Sequence, residues 1–146
     1  MTDAGRRPVT AHDLTRLRGV GDPQISPDGR RVAFVMTTAS EERDEYISNV
    51  WVVAADGGEP RRFTAGPTRD TLPRWSPDGR WLAFVSDRGP KKKSQLYAMP
   101  ADGGEAIQLT EGRSNPCLSH DHVFASSIAC LQPEIRRKAT LLKHAP

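Results

Sequence analysis

One stretch of thirteen residues that occurs twice constrains this chain more than any other feature. Pro23-Gln24-Ile25-Ser26-Pro27-Asp28-Gly29-Arg30-Arg31-Val32-Ala33-Phe34-Val35 returns fifty residues later as Pro73-Arg74-Trp75-Ser76-Pro77-Asp78-Gly79-Arg80-Trp81-Leu82-Ala83-Phe84-Val85, identical at nine of thirteen positions. A second half of the unit returns at a spacing of 46. Val50-Trp51 answers Leu96-Tyr97, Asp56-Gly57-Gly58-Glu59 answers Asp102-Gly103-Gly104-Glu105, and Phe63-Thr64 answers Leu109-Thr110. The difference in spacing places four extra residues in the loop between the halves of the first unit. Repetition at a period of 40 to 50 residues points to a stacked repeat architecture.

Each unit reads as four short strands. Ser-Pro-Asp-Gly suits a type I turn, with Pro presetting φ at the second position and Gly closing the turn. It joins a strand ending at Ile25 or Trp75 to an apolar strand over residues 32–35 or 82–85. Asp-Gly-Gly supplies the positive φ angles of a tight hairpin. That hairpin links a third strand, residues 50–53 or 96–99, to a fourth ending at Phe63-Thr64 or Leu109-Thr110. The expected fold is all-β: a partial propeller of two four-stranded antiparallel blades. Eight strands would also suffice for a sandwich built by duplication. The blades are expected at 21–66 and 67–112, after an N-terminal segment 1–20 and before an atypical tail 113–146 that is irregular or helical. In the first segment Thr10 can cap a short helix with Asp13 at its third position, Leu14 and Leu17 sharing a face and His12 solvated.

Composition narrows the class. At 36% hydrophobic and 27% charged residues, with no apolar run of membrane length, the chain reads as soluble and cytoplasmic. Arg6-Arg7 lacks the apolar stretch that a twin-arginine signal needs. The net charge of +3 comes entirely from residues 113–146, which hold five basic and two acidic side chains; residues 1–112 hold sixteen of each. No basic stripe interleaves with aromatics, so nucleic-acid binding is not expected.

The tail breaks the pattern. All twelve glycines precede residue 113, whereas Cys117, Cys130 and three of the four histidines follow it. Pro116, Ser119 and Asp121 fall where a third Ser-Pro-Asp-Gly unit would repeat, but its turn chemistry is lost. A degenerate third blade or a foreign or frameshifted segment is expected there, the second being favoured. Pro133 can open a helix over residues 134–144.

These residues carry a resemblance. Val9-Thr10-Ala11-His12-Asp13-Leu14 through Arg18-Gly19-Val20, then Ser26-Pro27-Asp28-Gly29-Arg30, Leu72-Pro73-Arg74-Trp75 and Gln95-Leu96-Tyr97, resemble the start of acylaminoacyl-peptidase-like members of the prolyl oligopeptidase family of serine peptidases. The Trp-Ser-Pro-Asp-Gly repeat is similar to that of TolB-like propellers. The resemblance implies a propeller that sits over an α/β-hydrolase domain and restricts access to peptides. It implies that domain and peptide substrates as partners, and a catalytic triad outside this chain. No Gly-x-Ser-x-Gly elbow occurs, so no catalytic residue is assigned. No cofactor and no metal ligand is assigned either, since Cys117 with His120 and His122 lacks an obvious fourth ligand. A stand-alone binding module and the remnant of a disrupted gene are the alternatives.

Three further readings stand open to the structure. The run Glu41-Glu42-Arg43-Asp44-Glu45 and the run Lys91-Lys92-Lys93 occupy equivalent loops, are expected on one face of the propeller as neighbours, and read as solvated turns. Trp51, Trp75, Trp81 and Tyr97 read as packing between blades. With only two blades, the outer faces over residues 32–35 and 82–85 are expected to be bare and to favour self-association.

Overall fold

The computed structural model describes residues 8, 10–40 and 42–110, with Pro133, Arg137 and Lys138 of the tail. One short helix, α1 (Ala11–Thr15), precedes eight strands: β1 (Arg18–Ile25), β2 (Arg31–Ser40), β3 (Glu45–Ala54), β4 (Arg61–Arg62), β5 (Thr71–Trp75), β6 (Trp81–Ser86), β7 (Gln95–Pro100) and β8 (Ile107–Gln108). They form two antiparallel sheets in the orders β1-β2-β3-β4 and β5-β6-β7-β8. These are two blades of a partial propeller, as the repeat predicts.

The turn chemistry is the same in both blades. Gly29 N–H donates to the Ser26 carbonyl at 2.8 Å, and Gly79 N–H to Ser76 at 2.8 Å. Each serine is buried and spans its turn: its hydroxyl donates to the Asp28 or Asp78 carboxylate at 2.5 or 2.6 Å. The same oxygen accepts from the Arg31 or Trp81 N–H at 2.9 Å. The Asp-Gly-Gly turns have the expected positive φ, 108° and 122° at Gly57 and Gly58 and 103° and 131° at Gly103 and Gly104.

Two repeated devices lie beyond the predicted pattern. The first strand of each blade carries a bulge, between Gly21 and Gln24 and between Thr71 and Arg74. Asp22 and Leu72 sit there at φ 48° and 53°. Pro23 and Pro73 occupy the same bulges, where the missing N–H costs no ladder bond. The fourth strands are only two residues long, and a threonine completes each one. Thr64 Oγ1 accepts the Val50 N–H at 2.9 Å, and Thr110 Oγ1 the Leu96 N–H at 3.0 Å. This explains why Phe63-Thr64 and Leu109-Thr110 recur.

The extra residues of blade 1 form strand rather than loop. Strands β2 and β3 pair continuously from Arg31↔Ala54 to Ser40↔Glu45, whereas β6 and β7 pair only from Trp81↔Pro100 to Ser86↔Gln95. The threonines, Ile47 and Tyr46 along this arm favour a pleated ladder, so the acidic run lies at a hairpin tip and not in a long loop. Its Glu41 lies outside the described residues.

Because side chains alternate along strands, each blade has two distinct faces. The small face of blade 1, Ala33, Val50 and Val52, joins one buried cluster with Trp75, Leu82, Phe84, Tyr97 and Met99 on the large face of blade 2. By the repeat, Ala83, Leu96 and Ala98 are the small face of blade 2, which points away from blade 1 and forms a second cluster with Val85 and Leu109. Blade 1 likewise turns its own large face, with Val32, Phe34 and Trp51, away from the seam.

Helix α1 is one turn long. The Asp13 carboxylate accepts from the Thr10 N–H at 2.8 Å, as the capping pattern predicts, and also from the Thr10 hydroxyl at 2.9 Å. Leu17 falls after the helix, and Leu14 and Leu17 are both exposed rather than packed on a shared face. Pro133, Arg137 and Lys138 are helical, which agrees with a helix opened by Pro133; the rest of that segment, Cys117 and Cys130 included, lies outside the described residues.

Candidate functional site

The chemistry-bearing residues that the fold brings together lie along the seam between the blades. The chain leaves β4 and runs back beside β3 before entering β5. Ser48 N–H donates to the Thr68 carbonyl at 3.1 Å and Asp70 N–H to the Ser48 carbonyl at 2.8 Å. This places Asp70 fully buried between the sheets. Its carboxylate accepts from Arg88 Nη2 at 3.0 Å, from Thr68 Oγ1 at 3.1 Å and from Asn49 Nδ2 at 3.4 Å. Arg88 lies over the rings of Phe84 and Tyr97, 4.9 and 5.3 Å from their centroids. Arg62 Nη2 donates to the Asn49 side-chain amide oxygen Oδ1, so the network reaches the outermost strand of blade 1.

Burial of a charge costs several kcal/mol unless hydrogen bonds compensate it, and here every oxygen of Asp70 is engaged. Among the described residues no buried side-chain polar atom lacks a partner. The same surroundings push the Tyr97 hydroxyl up, through burial.

Two further contacts clamp the seam. Arg31 of blade 1 donates to the Ala101 carbonyl at 3.0 Å and stacks 4.9 Å from the Trp75 ring. Trp75 Nε1 returns a bond to the Gln24 carbonyl at 3.1 Å. Near the first strands, Arg74 Nη1 reaches both oxygens of Asp22 at 3.0 and 3.2 Å. The bulge at φ 48° sets the backbone from which the Asp22 carboxylate meets Arg74.

Of the four aromatics read as interblade packing, Trp75 and Tyr97 lie in the seam cluster. Trp81 packs against the outward cluster of blade 2, and Trp51 stands half-buried on the outward face of blade 1. The seam network itself escaped the repeat analysis because Asp70 and Arg88 align with Val20 and Thr38 and do not recur. Their neighbours carry no signal either: Arg69-Asp70-Thr71-Leu72 shares no residue with Gly19-Val20-Gly21-Asp22, nor Ser86-Asp87-Arg88 with Met36-Thr37-Thr38.

Two open clefts are lined by described residues. One of about 580 Å³ lies between α1 and the arm of blade 1, lined in part by His12, Ala39, Asp44, Glu45 and Tyr46. The other, of about 800 Å³, runs between the two Ser-Pro-Asp-Gly turns and is lined in part by Pro27, Arg31, Pro77, Trp81 and Asp102. Here the Ser26 hydroxyl and the Arg30 N–H hold the Asp28 carboxyl below the usual carboxylate range. The serine–aspartate pairs are turn geometry, with the serine hydroxyl donating to a carboxylate and no imidazole in the motif to serve as base. Lys91, Lys92 and Lys93 are exposed, and among the described residues no ion pair joins them to Glu42, Asp44 or Glu45. Among the described residues no group of His, Cys, Asp and Glu could hold a metal, and no helix is long and apolar enough to cross a membrane.

The family profile of the TolB beta propeller domain matches residues 9–130, a match that runs past Gly112. The uncharacterized peptidase YuxL of Bacillus subtilis (strain 168) is 47% identical over 116 residues, covering 77% of this chain and 18% of its own length. The uncharacterized protein YidR of Escherichia coli (strain K12) is 33% identical over 103 residues, covering 70% of this chain and 22% of its own. Among solved structures, an acylaminoacyl peptidase in complex with Z-Gly-Gly-Phe-chloromethyl ketone superposes with a TM-score of 0.57 at 25% identity, over 69% of this chain and 15% of that one. The chain thus spans less than a quarter of the length of each. With two bladed sheets in register and the profile covering both, the chain belongs to the TolB β-propeller domain family, and its propeller is of the kind carried by prolyl-oligopeptidase-family peptidases.

Proposed function

We propose that these blades open a propeller that restricts peptide access to the α/β-hydrolase domain of a serine peptidase, and that the chain contributes no catalytic group of its own. The observation that carries this reading is the identity of 47% with a peptidase along both blades. The seam supports it. Its charges are engaged as a rigid frame requires: Arg74 with Asp22 and Arg31 with the Ala101 carbonyl join the blades, and Arg88 with Asp70 braces blade 2 at the joint.

The test is direct. The purified chain should leave acyl-amino-acid and peptidyl chromogenic substrates uncleaved and should resist fluorophosphonate probes. Stoichiometric labelling of any serine would overturn the non-catalytic assignment. A second reading, a binding module independent of hydrolysis, draws on the relative of unstated activity from Escherichia coli. Reading the transcript past codon 112 in all three frames separates the two. Further Ser-Pro-Asp-Gly blades with a Gly-x-Ser-x-Gly elbow support the peptidase reading, and their absence supports the module.

A further inference from the structure

The small face of blade 2 should be open, because no third blade stands among the described residues. It is not open. Ala83, Val85, Leu96, Ala98 and Leu109 are exposed by only 1, 7, 6, 0 and 7%, and the buried members of their cluster all belong to blade 2 itself. A four-stranded sheet cannot bury the centre of its own face; a second layer about 10 Å away is needed. On the opposite end of the molecule, the outward face of blade 1 keeps Phe34 at 9% exposure but leaves Val32, Trp51 and Val53 half-exposed and Val20 and Ile25 65 and 69% exposed, so it is covered far less completely.

One described segment reaches the rim of the covered cluster. Lys138 is helical and half-buried, and its ammonium donates to the Gln108 carbonyl at 3.0 Å and the Leu109 carbonyl at 3.4 Å. Strand β8 is the sheet edge, paired only with β7. A lysine on its outer carbonyls both satisfies them and blocks edge pairing with another chain. Pro133 and Arg137 of the same segment are exposed. The segment thus turns Lys138 inward onto the sheet and Arg137 outward to solvent, as the capping units of repeat proteins do.

We propose that the helical segment carrying Arg137 and Lys138 is the cover of blade 2's small face, standing where the large face of a third blade would dock. The inference is independent of any peptidase role. It replaces the expectation of a bare face over residues 82–85 with an intramolecular cap.

Two measurements test it. In a Cys117→Ser, Cys130→Ser background, a nitroxide attached at Arg137→Cys should broaden the amide signals of Ala98 and Leu109 and leave those of Val32 and Ala33 sharp. Deleting residues 113–146 should raise the binding of an apolar dye several-fold and convert a monomer into associated species by light scattering. Unbroadened signals at Ala98 and Leu109 would overturn the proposal even where the shortened chain fails to fold. So would a folded, monomeric shortened chain with unchanged dye binding. A full-length dimer whose dissociation uncovers the face would assign the cover to a second copy instead.

Discussion

Blade 1 and blade 2 are built from nearly the same sentence of sequence, yet they are held in different ways. Blade 2 is buried on both faces, with Leu82 and Phe84 at 0% on one side and Ala83 and Ala98 at 1 and 0% on the other. Blade 1 is buried at the seam, where Ala33 and Val50 are at 0%, but Val32, Trp51 and Val53 remain half-exposed on its outward face. Blade 1 instead extends β2 and β3 to ten residues each against six in β6 and β7, and blade 2 carries a charge pair that blade 1 lacks. The lesson is that the repeat fixes each blade's internal ladder, whereas position in the row decides which faces become core.

The largest test of this contrast uses repeat-equivalent phenylalanines. Phe84→Ala should cost about 3–5 kcal/mol, the range for an aromatic removed from a closed core. Phe34 is itself only 9% exposed, but Val32, Trp51 and Val53 beside it keep solvent contact, so Phe34→Ala should cost about 2–3 kcal/mol, the transfer cost without a closed cavity. Urea unfolding of both variants gives the comparison, and equal losses would erase the distinction between the blades.

The charge pair offers the next test. Arg88→Ala leaves Asp70 ionised in a fully buried position and should cost about 3–5 kcal/mol. Asp70→Ala leaves an arginine whose side chain is 24% exposed and still stacked on two rings, so its loss should be smaller. Thermal unfolding that ranks Asp70→Ala as the worse variant would show that the network is not anchored as described.

Most of the fold was legible because turn chemistry and strand apolarity repeat together. Ser-Pro-Asp-Gly and Asp-Gly-Gly each require one backbone geometry, and both blades adopt it. The arm was misjudged as a loop because its Met36-Thr37-Thr38-Ala39 stretch shares no residue with its counterpart Ser86-Asp87-Arg88-Gly89. The seam was half legible. Trp75 and Tyr97 stand out by size, but Asp22, Asp70 and Arg88 meet their charge partners 52 or 18 residues away. Pairing at such separations is a product of stacking, which no local pattern encodes. The burial of residues 82–85 on both faces was visible in their uninterrupted apolarity; what covers them was not.

Smaller effects sharpen the comparison further. Thr64 is 1% exposed and its oxygen receives a backbone N–H, so Thr64→Val should cost about 1–3 kcal/mol by leaving that donor unpaired. Thr110→Val should cost less, about 1 kcal/mol, because Thr110 is only half-buried and water can substitute. Equal losses, read from urea midpoints, would mean that the two fourth strands end alike in energy as well as in geometry.

The smallest effect is a pH dependence at the first turn. Asp28 is held below its ordinary value of 3.8 by Ser26 and the Arg30 N–H. A depressed carboxyl stabilises the folded chain above that ordinary value, and the contribution disappears as pH falls through the folded-state value. Asp28→Asn should therefore flatten the acid limb of the stability profile below pH 3.8 and leave the slope near neutrality unchanged. An acid limb identical to that of the parent chain would remove the turn from the account.

The seam joins a small face to a large one, and that asymmetry gives the row of blades a direction. A small face accepts the next unit and a large face accepts the one before, so units can only join in chain order. Copying one whole period of fifty residues therefore brings both halves of the joint with it. The new unit fits between its neighbours without any compensating substitution. Blade number in such a ring can change by a single genetic duplication, and what limits it is the curvature of the ring rather than the chemistry of its joints.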